Sequence, residues 1–248
     1  MKSLVIITLL ILMVAQTAFS QNISDTINFS PVEIIANKIP DSFKISSFDS
    51  ISLQQSENLA DLINNNSSVF IKSYGAGSLS SISFRGTGAS HTQVLWNGIA
   101  LNSPMNGQID FSLYPTLFFD NAELHHGASG LIDGEGALGG SVVLNNQEQF
   151  NSQTKISLNQ LIGSFGNYTS AVQLKTGNKQ WFYETQVYDK KAQNNFSYTN
   201  ITIKDNPTEQ MKNAVVNQYG IQQAIYRKFK NSTIGARIWY FNSDRQLP

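Results

Sequence analysis

The sequence contains no cysteine. That absence excludes disulfides, thiolate metal sites, a cysteine nucleophile and a lipid-anchored amino terminus. Charge is also scarce. Charged residues make up 14% of the chain, against roughly 25% in an ordinary soluble domain. Lys+Arg and Asp+Glu both number 17, for a net charge of zero. No basic excess exists to neutralise a phosphate backbone, so nucleic-acid binding is disfavoured. The 3 histidines leave little material for a histidine-based metal centre. Beyond the amino-terminal run, no stretch reaches the ~18 consecutive apolar residues of a membrane-spanning helix. What is present is a 248-residue chain, 41% hydrophobic and 11% aromatic. That composition belongs to a folded, strand-friendly chain of one or two domains.

The amino terminus has the form of a secretory signal. Met1 and Lys2 form a short basic start, residues 4–14 are apolar with one Thr, and Ala18-Phe19-Ser20 offers a small-x-small cleavage site before Gln21. We assign residues 1–20 to a signal peptide, too short and wrongly flanked for a spanning helix; an uncleaved anchor is the alternative. A polar tail follows, then Ser30-Pro31-Val32-Glu33-Ile34-Ile35-Ala36-Asn37. This short β-branched stretch reads either as a strand offered to a partner, where main-chain bonds supply affinity, or as the first strand of the domain.

The remaining chain changes character near residue 150. Residues 22–147 are mixed and punctuated by glycine. A helix is expected from Ser56, with Glu57 in its first turn and Leu59, Leu62 and Ile63 on one face. Strands are expected at 69–74, 80–84, 92–96, 121–125 and 141–144. Asn97-Gly98 suits the type I′ turn of a hairpin. This half reads as a small α+β domain. Residues 153–248 instead hold long strand candidates at 155–165, 168–176, 180–190, 214–229 and 233–242. Tyr168, Ser170, Val172 and Leu174 alternate with Thr169, Ala171, Gln173 and Lys175, and Ile234, Ala236, Ile238 and Tyr240 alternate with Thr233, Gly235, Arg237 and Trp239. Short turns at 177–179 and 230–232 contrast with a polar loop at 194–213. Aromatics near strand ends (Phe165, Tyr168, Trp181, Tyr188, Phe229, Tyr240, Phe241) suit an interfacial girdle. The pattern is that of a transmembrane β-barrel, with a soluble all-β sandwich as the alternative. Known outer-membrane barrels start at about 8 strands, so these five are expected to be part of a longer protein.

Motifs for chemistry are weak. Gly134-x-Gly136-x-x-Gly139 satisfies a dinucleotide fingerprint literally, but that fingerprint must open a helix and be followed by an acid about 20 residues on. Here it runs into the strand-like Ser141-Val142-Val143-Leu144. His125 and His126 are adjacent, so a regular strand points them to opposite faces. No nucleophile–base–acid arrangement appears, and no enzyme is expected.

One segment is specific. Ser80-Ser81-Ile82-Ser83-Phe84-Arg85-Gly86-Thr87-Gly88-Ala89-Ser90-His91-Thr92-Gln93-Val94-Leu95-Trp96-Asn97-Gly98 closely resembles the plug domain of TonB-dependent outer-membrane receptors, the vitamin B12 receptor branch above all. The glycine-rich run from Gly127 to Val143 resembles that family's plug exit. The resemblance implies an α+β plug domain followed by the first strands of an antiparallel transmembrane β-barrel of about 22 strands. The implied organisation is a signal peptide at 1–20, an extension at 21–37, a plug at 38–147 and a partial barrel at 153–248. Val32, Glu33, Ile34, Ile35 and Ala36 sit where the family has its TonB box, although Glu33 replaces a usually apolar residue. Arg85 and Gly86 become candidates for a plug–barrel contact. Gly75, Ala76, Gly77 and Ser78, with Ser103, Met105, Asn106 and Gln108, become ligand-loop candidates. The implied partners are a periplasmic TonB-type energy-coupling protein, outer-membrane lipid, and a corrinoid, ferric siderophore or haem ligand; no cofactor and no metal site is implied. An outer-membrane adhesin without energy coupling is the alternative function.

Overall fold

Two capping side chains decide where the first helices begin. Asp49 accepts a hydrogen bond from Ser52 N at 2.8 Å and opens α1 (Ser50–Gln55). Asn58 accepts one from Asp61 N at 3.0 Å and opens α2 (Leu59–Asn66). Each side-chain oxygen satisfies an amide that the helix itself leaves free. The helix expected from Ser56 therefore starts at Leu59. Ser56 instead ends α1, its N–H donating to Ser52 O at 3.1 Å, and Glu57 lies between the two helices.

This computed structural model describes residues 44–75, 78–127 and 129–246, all within one compact unit, Lys38–Pro248. The expected signal peptide and the Val32–Ala36 segment lie outside the described residues, as do Ala76 and Gly77. Among the described residues no helix is long and apolar enough to cross a membrane; strands are a separate matter.

The first half is built around a five-stranded sheet. In chain order its strands are β1 (Lys44–Phe48), β4 (Thr92–Trp96), β5 (Ile99–Ala100), β6 (Asn121–His126) and β7 (Gly140–Asn145), and their spatial order is β1-β6-β7-β4-β5. β4 and β7 run parallel, with Val94 opposite Val142; the other pairs are antiparallel. A separate hairpin joins β2 (Phe70–Ser73) to β3 (Ser80–Ser83). Leu59, Leu62 and Ile63 on one face of α2 are fully buried in the same cluster as Val94, Leu124, Val142 and Leu144. Each such side chain contributes about 1.5–3 kcal/mol by leaving water. Asn97 and Gly98 both have positive φ, 49° and 81°, as a type I′ hairpin requires. A one-turn helix, α3 (Gly130–Asp133), lies within the glycine-rich run, ahead of Gly134, Gly136 and Gly139. That run enters β7, so the fingerprint glycines open a strand.

The second half is one antiparallel sheet of five long strands: β8 (Lys155–Gly163), β9 (Asn167–Gly177), β10 (Trp181–Ala192), β13 (Val216–Lys228) and β14 (Thr233–Arg245). The loop between β10 and β13 carries a small hairpin of β11 (Ser197–Thr199) and β12 (Thr208–Gln210). The sheet is open, and among the described residues β8 and β14 are its edges. Side chains alternate as the sequence pattern predicts. Leu158, Val172, Val187, Ile221 and Tyr240 form one cross-strand row on the outer face. Leu158 is 78% exposed and Ile238 72%. The inner face carries Gln173, Lys175, Glu184, Gln186, Gln222 and Arg237. Trp181 and Tyr183 stack near the short turns, with ring centroids 6.0 Å apart; Tyr219 and Tyr240 pair near the long loop, also at 6.0 Å. Two of the expected girdle aromatics point the other way. Tyr188 is buried at 2% exposure and Phe241 is partly buried, both against the first half. Tyr188 shares the parity of Glu184 and Gln186, which places it on the inner face.

Candidate functional site

The inner face of the long sheet meets the first half of the chain through oppositely charged groups, and in three pairs among the described residues the acid belongs to the first half. Glu57, between α1 and α2, is ion-paired with Lys190 of β10 and accepts a hydrogen bond from Thr169 Oγ1 at 3.0 Å. Asp110 accepts from Arg245 Nη1 at 2.8 Å. Asp120 is ion-paired with Lys175, which also lies 3.1 Å from Glu184 of β10. Glu184 is fully buried and receives Arg237 Nη1 at 2.9 Å. Buried charges are costly unless paired in this way. Lys190 and Arg245 lie toward the long-loop end of the sheet and Lys175 beside the short turn at 178–180, so the contacts hold both ends.

Aromatic packing fills the space between these pairs. Trp96 and Trp239 have centroids 4.7 Å apart, and Phe118 meets Tyr188 at 5.9 Å and Phe241 at 6.4 Å. Gly220 makes room for Phe118. A Cβ there would lie 3.0 Å from Phe118 Cζ and 2.9 Å from Phe241 Cδ2.

A cavity of about 470 Å³ opens where α2 and the β2–β3 hairpin face the long-loop end of the sheet. Glu57, Asp61, Asn64, Ser73, Gly75, Ser112, Asn167, Lys190 and Asn194 are among its lining residues. Asn58 Nδ2 donates to Asp61 Oδ2 at 2.9 Å. Burial and, after it, the neighbouring Glu57 charge push the Asp61 carboxyl above its ordinary value.

The ligand-loop candidates divide. Gly75 lines the cavity, and Ser78 N closes a turn on Gly75 O at 3.1 Å. Ser103, Met105, Asn106 and Gln108 form a separate exposed turn, closed by Ser103 N to Gln108 O at 2.9 Å, and do not line this cavity. Arg85 and Gly86 occupy a tight turn with φ of 49° and 80°, closed by Thr87 N to Phe84 O at 2.9 Å. Arg85 is exposed and makes no hydrogen bond or ion pair with a described residue. The contacts to the sheet come instead from Glu57, Asp110 and Asp120, none of which the sequence reading singled out for that role. The only available signal was the rarity of charge, which makes any acid near an inward-facing cation informative. His125 and His126 do face opposite ways. His125 Nδ1 lies 2.8 Å from Asp133 Oδ2, while His126 Nε2 is hydrogen-bonded to Ser46 Oγ at 3.0 Å.

The comparisons with known proteins bear on this arrangement. Residues 36–141 match the TonB-dependent receptor plug domain. The plug is followed by an open antiparallel sheet, and solved structures share both parts. The copper transporter OprC is similar over 82% of this chain at 13% identity, with a TM-score of 0.66. The siderophore receptor PiuA from Acinetobacter baumannii is similar over 81% at 12% identity, with a TM-score of 0.62. The pyoverdine outer membrane receptor FpvA from Pseudomonas aeruginosa is similar over 84% at 14% identity, with a TM-score of 0.61. The chain spans 31%, 26% and 29% of those three proteins respectively. At such identities the likeness is one of fold. The matched family and structures are receptors and transporters, not enzymes.

Proposed function

We propose that the chain supplies the plug and part of the barrel wall of a TonB-dependent outer-membrane receptor that imports a scarce, large nutrient such as a corrinoid, a ferric siderophore or haem. One observation carries the reading. A folded plug is held by Glu57, Asp110 and Asp120 against the polar inner face of a sheet whose other face is a broad exposed apolar band. Exposed apolar patches of that extent mark a surface that meets something other than water. Strands that are polar inside and apolar outside, with an aromatic row at each end, fit a lipid bilayer. A barrel of the size implied by the resemblance would leak unless filled, and a plug fills it.

In this reading the turns at 178–180 and 229–232 are periplasmic and the 193–215 loop is extracellular, since outer-membrane barrels keep short turns inside and longer loops outside. The cavity beside α2 then faces outward, toward the ligand. Arg85 and Gly86, exposed on the plug, are available to wall strands other than the five described. Residues 1–20 direct export, and Val32, Glu33, Ile34, Ile35 and Ala36 form the handle for a periplasmic TonB-type protein. The outer membrane has no ATP supply of its own, so work must reach the plug through such a partner. The motif around Arg85 and His91 supports the vitamin B12 receptor branch.

The experiment is uptake of labelled cyanocobalamin, a ferric siderophore and haemin by cells that express the full-length receptor, with and without a protonophore. Import that stops when the inner-membrane gradient collapses, while surface binding persists, is the expected result. Surface binding with no energised import of any probe would favour an adhesin.

A further inference from the structure

We infer that Arg227, flanked by Lys179 and Lys230, forms a docking site for the phosphodiester of an anionic glycerophospholipid at the short-turn rim of the long sheet. This rests on the receptor reading above, which puts that rim in the periplasmic leaflet, and it adds a ligand which that reading does not specify.

Charge is scarce in this chain, and at this rim it gathers with one sign. Residues 176–183 and 225–236 hold the β9–β10 and β13–β14 turns and the strand ends beside them. They contain Lys179, Arg227, Lys228 and Lys230 and no Asp or Glu. All four cations are exposed. The two turns are neighbours, because the Lys228 N–H donates to Gln180 O at 2.7 Å. None of the four side chains is ion-paired with a described residue, Glu148 in the connection before β8 included. Asp120 and Glu184, on the inner side of the sheet, are engaged by Lys175 and Arg237. The long-loop end is different, since Asp189, Asp205, Glu209 and Asp244 stand among its cations. Unmatched positive charge is therefore a property of the short-turn rim.

The geometry around Arg227 gives that charge a shape. Trp181, Arg227 and Ile234 form one cross-strand row. They lie an even number of residues from Val187, Ile221 and Tyr240, so they share the outer, apolar face. The guanidinium carbon of Arg227 lies 5.0 Å from the centroid of the Trp181 ring and 4.9 Å from that of Phe229. Phe229 is fixed by its own turn, with its N–H donating to Ser232 O at 2.7 Å. Ring faces attract a guanidinium through its flat side, which leaves the N–H edge open to a pair of phosphate oxygens. Lys179 and Lys230 add a point charge from each turn.

The surroundings select a lipid over other anions. Ile234 is 66% exposed and Phe229 42%, so the phosphate-binding edge borders an apolar surface. A phospholipid meets both at once, with its headgroup on the cations and its chains along the strand. Trp at such a boundary is the usual mark of a membrane interface, and basic residues there draw anionic headgroups. A free anion would use the charge alone. An acidic protein would have to reach Arg227 across the face that acyl chains cover.

The test reconstitutes the full-length receptor in phosphatidylcholine vesicles that carry a minor fraction of brominated phosphatidylglycerol or brominated phosphatidylcholine. Bromine quenches nearby indoles, and the Trp181 signal is the difference between each protein and its Trp181→Phe form. The anionic probe is expected to occupy the site about tenfold more readily than the zwitterionic one. Salt should weaken that preference. Arg227→Gln should reduce it at least about threefold, as should Lys179→Gln with Lys230→Gln. Lys191→Gln, an exposed cation at the other end, should leave it unchanged. Equal quenching by the two probes, or a preference that Arg227→Gln does not move, would overturn the inference and leave the receptor reading standing, because lipid would still reach Trp181. Displacement of the anionic probe by excess inorganic phosphate, by polyglutamate, or by lipid A as readily as by unlabelled phosphatidylglycerol would also overturn it. Quenching by neither probe would show that the outer face does not meet lipid, and the receptor reading would fall with the inference.

Discussion

The Glu57 carboxylate of the plug is shared by two groups from different wall strands, the ammonium of Lys190 and the hydroxyl of Thr169. Glu57 and Lys190 are only 14% and 13% exposed, so each needs the other to be tolerated there. Lys190→Met should cost about 3 kcal/mol, because it leaves a buried carboxylate with a hydroxyl as its remaining anchor. The double variant Glu57→Gln with Lys190→Met should cost less than Lys190→Met alone. Thermal unfolding of the detergent-solubilised full-length protein, arranged as a double-mutant cycle, checks both statements. Equal losses in the single and double variants would mean that the pair does not couple plug and wall.

Two glycines should fail for different reasons. Gly220→Ala places a Cβ 2.9 Å from Phe241 Cδ2 and 3.0 Å from Phe118 Cζ and the Tyr240 carbonyl oxygen. Overpacking of that kind costs about 1–3 kcal/mol and should loosen the plug against the wall, seen as faster protease cleavage within the plug. Gly86→Ala meets nothing within 4 Å, but its φ is +80°. It should cost about 1–2 kcal/mol from backbone strain alone, and a further change to a larger side chain should add little.

Acidity should weaken the plug at β1 and β6. Burial first, then the charges of Lys44 and Arg85, hold the His126 imidazole below its ordinary value. The unfolded chain, with a histidine value of about 6.5, then binds more protons than the folded one. Stability contributed by the neutral ring is present above about pH 6.5 and is lost as pH falls through the lower folded value. His126→Gln should flatten the pH dependence of unfolding as pH falls below about 6.5. A wild-type profile unchanged by that substitution would show that this histidine does not carry the effect.

Local rules made much of this fold legible. The alternation in β9 and β14 separates Val172 and Ile238 from Gln173 and Arg237, because a strand has a period of two, and the structure turns the first pair outward and the second inward. Asn97-Gly98 identified a hairpin because few residue pairs accept two positive φ angles. The misreadings have equally physical causes. Ser56 is a residue type that favours helix starts, but Asp49 and Asn58 hold the cap positions, with side-chain oxygens that reach Ser52 N and Asp61 N. Tyr188 and Phe241 share the aromatic type of girdle residues, but strand parity turns both inward, where the Phe118 ring of the plug packs against them. The pairing of Glu57 with Lys190 joins segments far apart in sequence, and no local pattern announces it. Arg85 stands within the receptor-like motif, yet the anchors to these strands are acids.

The central claim is that work done on residues 32–36 moves a plug that sits in a receptor barrel. The most direct measurement compares binding and import of labelled ligand by cells that express the full-length receptor with Ile34→Pro. Proline removes an amide donor and fixes φ, so a strand offered to a partner loses its pairing. The account predicts that import is abolished while surface binding stays close to wild type, and that Ile34→Val leaves both intact. Wild-type import by Ile34→Pro cells would contradict it.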